Sequence, residues 1–477
     1  MEKQTRLSDL PDELLLKILS ALPMFKVTLA TRLISRRWKG PWKLVPDVTF
    51  DDDDIPFKSF ETFMSFVYGS FLSNDAQILD RLHLKLNQKY SASDINFWVQ
   101  VAVNRSVREL RIDLFGKTLE LPCCLCSCIT LKELTLHDLC IKVVPAWFRL
   151  PSLKTLHLLS VKFSSDGFVA SILRICPVLE RLVVDGTKGV NVKIPNMDVP
   201  NLRSLSFRST GELRIELLRK TLGLPTCLSS FRNLTELILH GLDQIKNENV
   251  MITNIDVPTL RNLSIRNSKG KGTYVEGSKG FVIKAPSLTD LNFEDTLSNF
   301  LMFEPMPEVI KADIQVICDQ SKNFIGSLTS IQHLSLCSLT SKTPYPACTV
   351  FSSLKYLELC TCSARWANLF ACILNAAPEL RSLKLKSKHK FNYNDPMTLW
   401  EEPAVVAKCL SEHLEIFEWR QYEGTEQERN VAGYILANAT CLKMATFSTR
   451  CRNRNHRMLK KLKSMDRVSK ACRLVFD

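Results

Sequence analysis

Four cysteines fall within six residues at Cys123, Cys124, Cys126 and Cys128. Thiols this dense suggest zinc or an iron–sulfur centre. The spacing is not the paired C-x-x-C of structural zinc sites, and adjacent cysteines cannot easily ligate one ion. The stretch also runs straight into an apolar strand pattern, where small buried side chains are needed, so buried free thiols are the expectation. The segment GKGTYVEGSKG, from Gly270, spaces Gly272 and Gly277 as a phosphate loop would, but Ser278 stands where a lysine is required. A flexible return loop is expected there. No H-E-x-x-H, G-x-S-x-G or Cys–His arrangement stands out, so no catalytic residue, metal or cofactor is assigned.

Charge narrows the partners. The chain of 477 residues carries a formal +14, from 63 basic and 49 acidic residues. Ten Lys or Arg against one acid lie between Ser448 and Arg473, so this tail alone supplies +9. It reads as a solvated helix face; the alternative is a nuclear-import or nucleic-acid patch through Arg450, Arg452, Arg454, Arg457, Lys460, Lys461 and Lys463. The 17 cysteines accompany no secretory pattern, because Asp9, Pro11, Asp12 and Glu13 interrupt any apolar leader. No uninterrupted apolar run approaches 18 residues, so no membrane span is expected. Free thiols point to a reducing nucleus or cytoplasm, or both.

The elements that must position these side chains come from a repeat. Leucine, two variable residues, leucine, one variable residue, leucine recurs at Leu79, Leu82, Leu84 and on to Leu380, Leu383, Leu385. Twelve copies are clear, and a degenerate one, Val309, Ala312, Ile314, fills the widest run between them. Successive middle positions lie 21 to 28 residues apart, with one step of 32, the period of leucine-rich repeats. Each triplet predicts a short strand whose leucines enter a shared core and whose variable residues face out. Pro177, Pro200, Pro258, Pro286 and Pro378, each separated from a triplet by one residue, suit the start of a strand better than its middle. The intervening returns are expected to be helical, as over 167–175, and irregular.

The same pattern places His83, Arg111, His157, Asn292, Glu358 and Lys384 on the concave face, and His137, Arg208, His240 and Arg266 one position further out. This surface is mixed in charge, which argues against phosphate-backbone binding along the array and for a protein or peptide target. Its histidines come from different repeats without ligand-type spacing.

The first fifty residues differ. In SDLPDELLLKILSALP, Pro11 suits a first helical turn, and Asp12 and Glu13 complement its positive end. Leu14, Leu15, Ile18, Leu19 and Leu22 recur at helical spacing until Pro23. Leu29, Ala30, Leu33, Ile34 and Trp38 suggest a second helix. Two short helices cannot bury both apolar faces against each other, so part of this surface needs a partner.

Leu10-Pro11-Asp12-Glu13-Leu14, Ser35-Arg36-Arg37-Trp38 and Trp42 together give residues 7–50 a clear resemblance to an F-box. The resemblance implies docking on a Skp-type adaptor and through it a cullin, with Leu10, Pro11, Leu14, Ile18, Leu19 and Leu22 as anchors or their packing support. Leu33, Ser35 and Trp38 are the matching positions of the later helix. Pro41 and Arg32 depart from the pattern, and Pro41 would end that helix early.

Glu402-Pro403, Phe417, Trp419, Tyr422, Gly424, Tyr434-Ile435-Leu436 and the closing 472–476 give the last eighty residues a resemblance to the FBD domain of plant F-box proteins. A terminal cap is physically required at the open end of a repeat array.

The expected fold is therefore multidomain. A short all-α F-box spans 1–50 and an acidic and helical joint 51–74. An irregular α/β leucine-rich-repeat solenoid with a parallel sheet covers 75–395, closed by an α+β FBD cap over 396–477. The expected function is a non-catalytic receptor in an SCF-type ubiquitin ligase, holding an unknown target protein. The alternatives are a non-degradative binding protein and, through the tail, a nucleic-acid-associated protein, although nucleic acid is not the expected partner.

Overall fold

The computed structural model describes residues 10–20, 41–53, 60–141, 144–163, 168–187, 190–194, 201–217, 233–242, 250–267, 278–296, 298, 300–316, 324–338, 350–362, 366–387, 400, 402–449 and 460–476. The chain divides into two compact units, Met1–Lys220 and Thr221–Asp477.

In the first unit, helix α1 (Asp12–Ser20) and a 3-10 helix (Pro41–Leu44) precede strand β1 (Asp47–Asp51). Helix α2 (Phe60–Ser73), β2 (Arg81–Lys85), α3 (Ala92–Asn104), β3 (Glu109–Leu119) and β4 (Glu133–Ile141) follow. Then come β5 (Thr155–Leu159), β6 (Lys162–Phe163), α4 (Phe168–Ile175), β7 (Arg181–Thr187), β8 (Val190–Ile194) and β9 (Ser204–Leu217).

Strands β1, β2, β3, β4, β5, β7 and β9 pair in parallel, in that order. Their register stacks Val48, Leu82, Leu110, Leu134, Leu156, Leu182 and Leu205 in one buried row. Phe50, Leu84, Ile112, Leu136, Leu158, Val184 and Phe207 make the next. Alternate side chains must share a face in a strand, and parallel pairing multiplies that face into a continuous core.

The second unit repeats this plan. Its main ladder runs β10 (Glu236–Leu242), β12 (Asn262–Asn267), β14 (Asp290–Asp295), β16 (Lys311–Val316), β17 (His333–Ser338) and β18 (Tyr356–Cys360). It continues through β19 (Ser382–Lys386), β20 (Ile416–Tyr422), β21 (Met444–Thr449) and β22 (Arg473–Phe476). Helices α5 (Trp366–Ala376), α6 (Lys408–Glu412) and α7 (Glu426–Asn438) lie between the later strands. All thirteen triplets place their second and third apolar residues on strands, with the first just ahead of each, the degenerate one at β16.

Three expectations need revision. Several returns in the second unit are strands rather than helices: β11 (Val250–Asp256), β13 (Ser278–Lys284) and β15 (Phe300–Phe303) form a separate parallel sheet. Their sequences VMITNID, SKGFVIK and FLMF are rich in β-branched and aromatic residues. This sheet packs on the main ladder through Phe293, which meets Phe281 and Phe303 edge-on at 5.5 and 5.7 Å. The end of the glycine-rich stretch, Ser278–Gly280, accordingly opens β13 rather than lying in a loop; 268–277 fall outside the described residues.

Four of the five prolines sit in turns ahead of their strands rather than at the strand starts, and Pro200 lies outside the described residues. Pro258, Pro286 and Pro378 follow the first residue of four-residue turns, in which the N–H of Leu260, Leu288 or Leu380 donates to the carbonyl of Val257, Ala285 or Ala377 at 3.1–3.3 Å. The fixed φ of proline suits the second position of such a turn. Finally, the parallel ladder begins at β1, inside the segment carrying the F-box resemblance. The acidic run after it is integrated too: Asp52 is buried and accepts from the Asn87 and Gln88 amides and the Tyr90 hydroxyl at 2.7–2.9 Å. No helix among the described residues is long and apolar enough to cross a membrane.

Candidate functional site

Two surfaces carry the assigned residues. The first is α1. The Pro11 carbonyl accepts from the Leu14 and Leu15 amides at 3.0 and 3.1 Å, and Asp12 and Glu13 occupy the first turn. The helix packs against the 3-10 helix that Pro41 opens. Leu15 and Leu19 are fully buried. Leu14 and Ile18, one turn apart on the other side, remain 43% and 37% exposed. Leu10 is half-buried and Pro11 exposed. One helix thus divides its large apolar residues: a pair that holds it to its own unit and a pair open to solvent. Leu19 belongs to the inward pair. Leu22, Arg32, Leu33, Ser35 and Trp38 lie outside the described residues.

The second surface is the outward face of the ladders, and it is already paired with itself. Register puts His83 beside Arg111, and Asp113 beside His137. Asp113 is buried, yet three cationic or ionisable side chains converge on it. His83 Nε2 lies 3.1 Å away, Arg111 Nε donates at 3.0 Å, and His137 Nδ1 lies at 3.6 Å. Burial alone would raise this carboxyl; the hydrogen bonds and charges of His83 and Arg111 outweigh it and hold the pKa below the usual value. His157 faces Glu133 at 3.8 Å, and its own pKa is lowered, chiefly by burial.

Arg208 lies 4.0 Å from Asp185. In the second unit, His240 shares a 2.8 Å hydrogen bond with Ser264, Arg266 lies 3.9 Å from Glu294, and Lys384 meets Glu358 at 2.8 Å. Asn292 is half-buried in the same outward row, between Ser264 and Asp313. Most of the expected side chains are therefore held in pairs with neighbouring side chains of the ladder rather than standing as open ligands.

The cysteines divide differently from the sequence pattern. Cys123, Cys124 and Cys126 lie on a 3-10 helix (Cys123–Ser127) with Cys128 just beyond it, and Cys124 and Cys128 are buried while Cys123 is exposed. Their sulfurs take separate partners: Cys124 approaches Asn96 Oδ1 at 4.0 Å, and Cys128 the Val107 carbonyl at 3.8 Å. Burial pushes the Cys124 thiol up to about 11. A tighter set, Cys337, Cys360 and Cys362, went unread because its members are spread over 26 residues. The legible signal was repeat position. Cys337 and Cys360 each follow the third leucine of a triplet, so parallel register makes them neighbours.

A ladder of parallel strands with leucines at fixed register defines a leucine-rich-repeat protein. The FBD family model matches residues 401–447, and that for "FBD-associated F-box protein At5g56370, LRR repeats" matches 95–269. "Putative FBD-associated F-box protein At5g56560" of Arabidopsis thaliana is 88% identical over 477 residues, all of both chains. "F-box/FBD/LRR-repeat protein At5g56570" of the same plant is 50% identical, over all of this chain and 93% of its own length. The chain belongs to the F-box/FBD/leucine-rich-repeat family of plant proteins.

Proposed function

We propose that this chain is a non-catalytic receptor subunit of an SCF-type ubiquitin ligase, working in the nucleus, the cytoplasm or both. Its F-box segment docks on a Skp-type adaptor and through it a cullin, while its repeats hold a target protein. The supporting observation is the division of α1: Leu14 and Ile18 stay open to solvent while Leu15 and Leu19 secure the helix from behind. Full burial of a leucine or isoleucine is worth about 1.5–3 kcal/mol, so completing the burial of both contributes ~2 kcal/mol to an interface. The chemical consequence is proximity: a tethered target meets the ubiquitin-loaded enzyme at high effective concentration.

On the target side, Arg111, His137 and Arg208 are the most open of the assigned side chains in the first unit. They retain N–H donors for a partner's carbonyls or carboxylates. The test is co-purification of the full chain with the adaptor. Replacing Leu14 and Ile18 together by Asp should abolish it while the melting curve stays that of the parent. Undiminished adaptor recovery with L14D/I18D overturns the proposal.

A further inference from the structure

Cys337 and Cys360 occupy the same place in consecutive repeats. Leu336 pairs with Leu359 between β17 and β18, and each cysteine is the next residue. Parallel strands lie about 4.8 Å apart, so equivalent positions become neighbours. Cys362, two residues on, lies against both: its Sγ is 3.1 Å from that of Cys360 and 3.5 Å from that of Cys337. Cys337 and Cys360 are buried, and Cys362 is half-buried.

One buried cysteine is an ordinary small apolar residue. Three whose sulfurs all fall within 4.8 Å of one another are a donor set. The 3.1 Å approach is closer than the ~3.5–4.0 Å at which uncharged heavy atoms pack best. A cation 2.3 Å from each sulfur spaces tetrahedral ligands about 3.8 Å apart and trigonal ones about 4.0 Å. The cluster reaches that geometry by opening less than about 1 Å, within the reach of χ1 adjustments.

The donors are all soft. No His, Asp or Glu belongs to this group among the described residues, which argues against the oxygen-seeking Ca2+ and Mg2+. We propose that Cys337, Cys360 and Cys362 form a thiolate site for a soft closed-shell cation, Cu(I) or Zn(II). Three sulfurs alone complete a trigonal Cu(I) site; Zn(II) takes a fourth ligand, for which water on the half-buried Cys362 side suffices. Binding releases the thiol protons and ties β17 to β18 and to Cys362 just beyond it. This site is independent of the adaptor surface on α1.

The experiment uses the reduced, metal-free full chain under anaerobic conditions, titrated separately with Zn(II) and with Cu(I) against a chromophoric chelator. Alkylation of each cysteine is followed by peptide mass spectrometry. One ion per chain is expected to protect Cys337, Cys360 and Cys362 together, while Cys123, exposed and outside the cluster, alkylates at its metal-free rate. Protection by one metal or by both supports the site and says which ion it takes. The C362S variant, at the half-buried position, should lose this protection at the other two thiols while keeping the parent's metal-free melting temperature. Two outcomes overturn the proposal: alkylation left unchanged by both metals, or retained protection in C362S.

Discussion

Asp113 is a carboxylate whose charge depends on neighbours drawn from two other strands, and this makes it titratable in a defined direction. Its folded pKa lies below its unfolded one, so its contribution is complete above about pH 4 and is lost as pH falls through the folded value. His157 acts in the same sense at higher pH. Burial lowers its pKa, so the folded state favours neutral imidazole, and stability falls as pH drops below about 6.5. Urea denaturation from pH 7 downwards should show both losses. D113N should cost about 1.5–3 kcal/mol at pH 7 and flatten the lower part of the curve, because the charge that titrates is gone. If D113N tracks the parent at every pH, the convergence of His83, Arg111 and His137 is incidental. The same contrast between inward and outward groups sorts α1. Leu19→Ala should destabilise by about 2–5 kcal/mol, as a buried leucine does, whereas Leu14→Ala should leave the denaturation midpoint in place and weaken adaptor binding.

Strands were legible where a leucine triplet met its period, and much less so between triplets. The side sheet of β11, β13 and β15 escaped because its segments are short and none carries a leucine triplet. One residue in it has a sharp requirement. A Cβ on Gly280 would lie 1.8 Å from the Phe300 carbonyl oxygen, and that atom is backbone of the partner strand. G280A must therefore push β13 off β15, at about 1–3 kcal/mol, and hydrogen exchange should quicken at Leu301 and Met302. Gly69, inside α2, has nothing within 4 Å of such a Cβ, and G69A should instead stabilise by about 0.5–1 kcal/mol through helix propensity. Opposite signs for two Gly→Ala changes, read by chemical denaturation, check that the side sheet is packed this closely. Equal signs would show that it is not. Helix α1 was legible from spacing and from Pro11 and the acidic residues of its first turn; what spacing could not show was which of Leu14, Leu15, Ile18 and Leu19 face in. The Asp113 convergence was hidden too, since it needs the lateral distance between strands as well as their register.

At the scale of the chain, the FBD segment is a continuation of the repeat with different side chains. Leu442 just ahead of β21 and Ala445 and Phe447 on it hold the three apolar positions of a triplet, and Leu474 and Phe476 hold the last two on β22. The pattern fades in sequence because aromatics replace leucines and Ala445 sits where bulk is expected. The structure restores it as a stack: Phe447 meets Phe417 at 5.5 Å, Tyr422 at 5.6 Å and Phe476 at 6.3 Å. Each strand of a ladder leans on its neighbours, so energy lost at one place is felt first next door and fades along the array. F447A removes the shared member of three ring pairs and should cost about 3–5 kcal/mol. Hydrogen exchange should accelerate in β20, β21 and β22, while β12 and β14 of the same unit stay protected. The first unit, with its own buried rows, should keep its exchange pattern, and Leu14 and Ile18 should still capture the adaptor. A chain that loses protection everywhere at once would instead be a single cooperative block. Adaptor docking and repeat integrity could then not be separated by mutation. Local loss with intact adaptor capture is the outcome that a ladder of nearest neighbours requires.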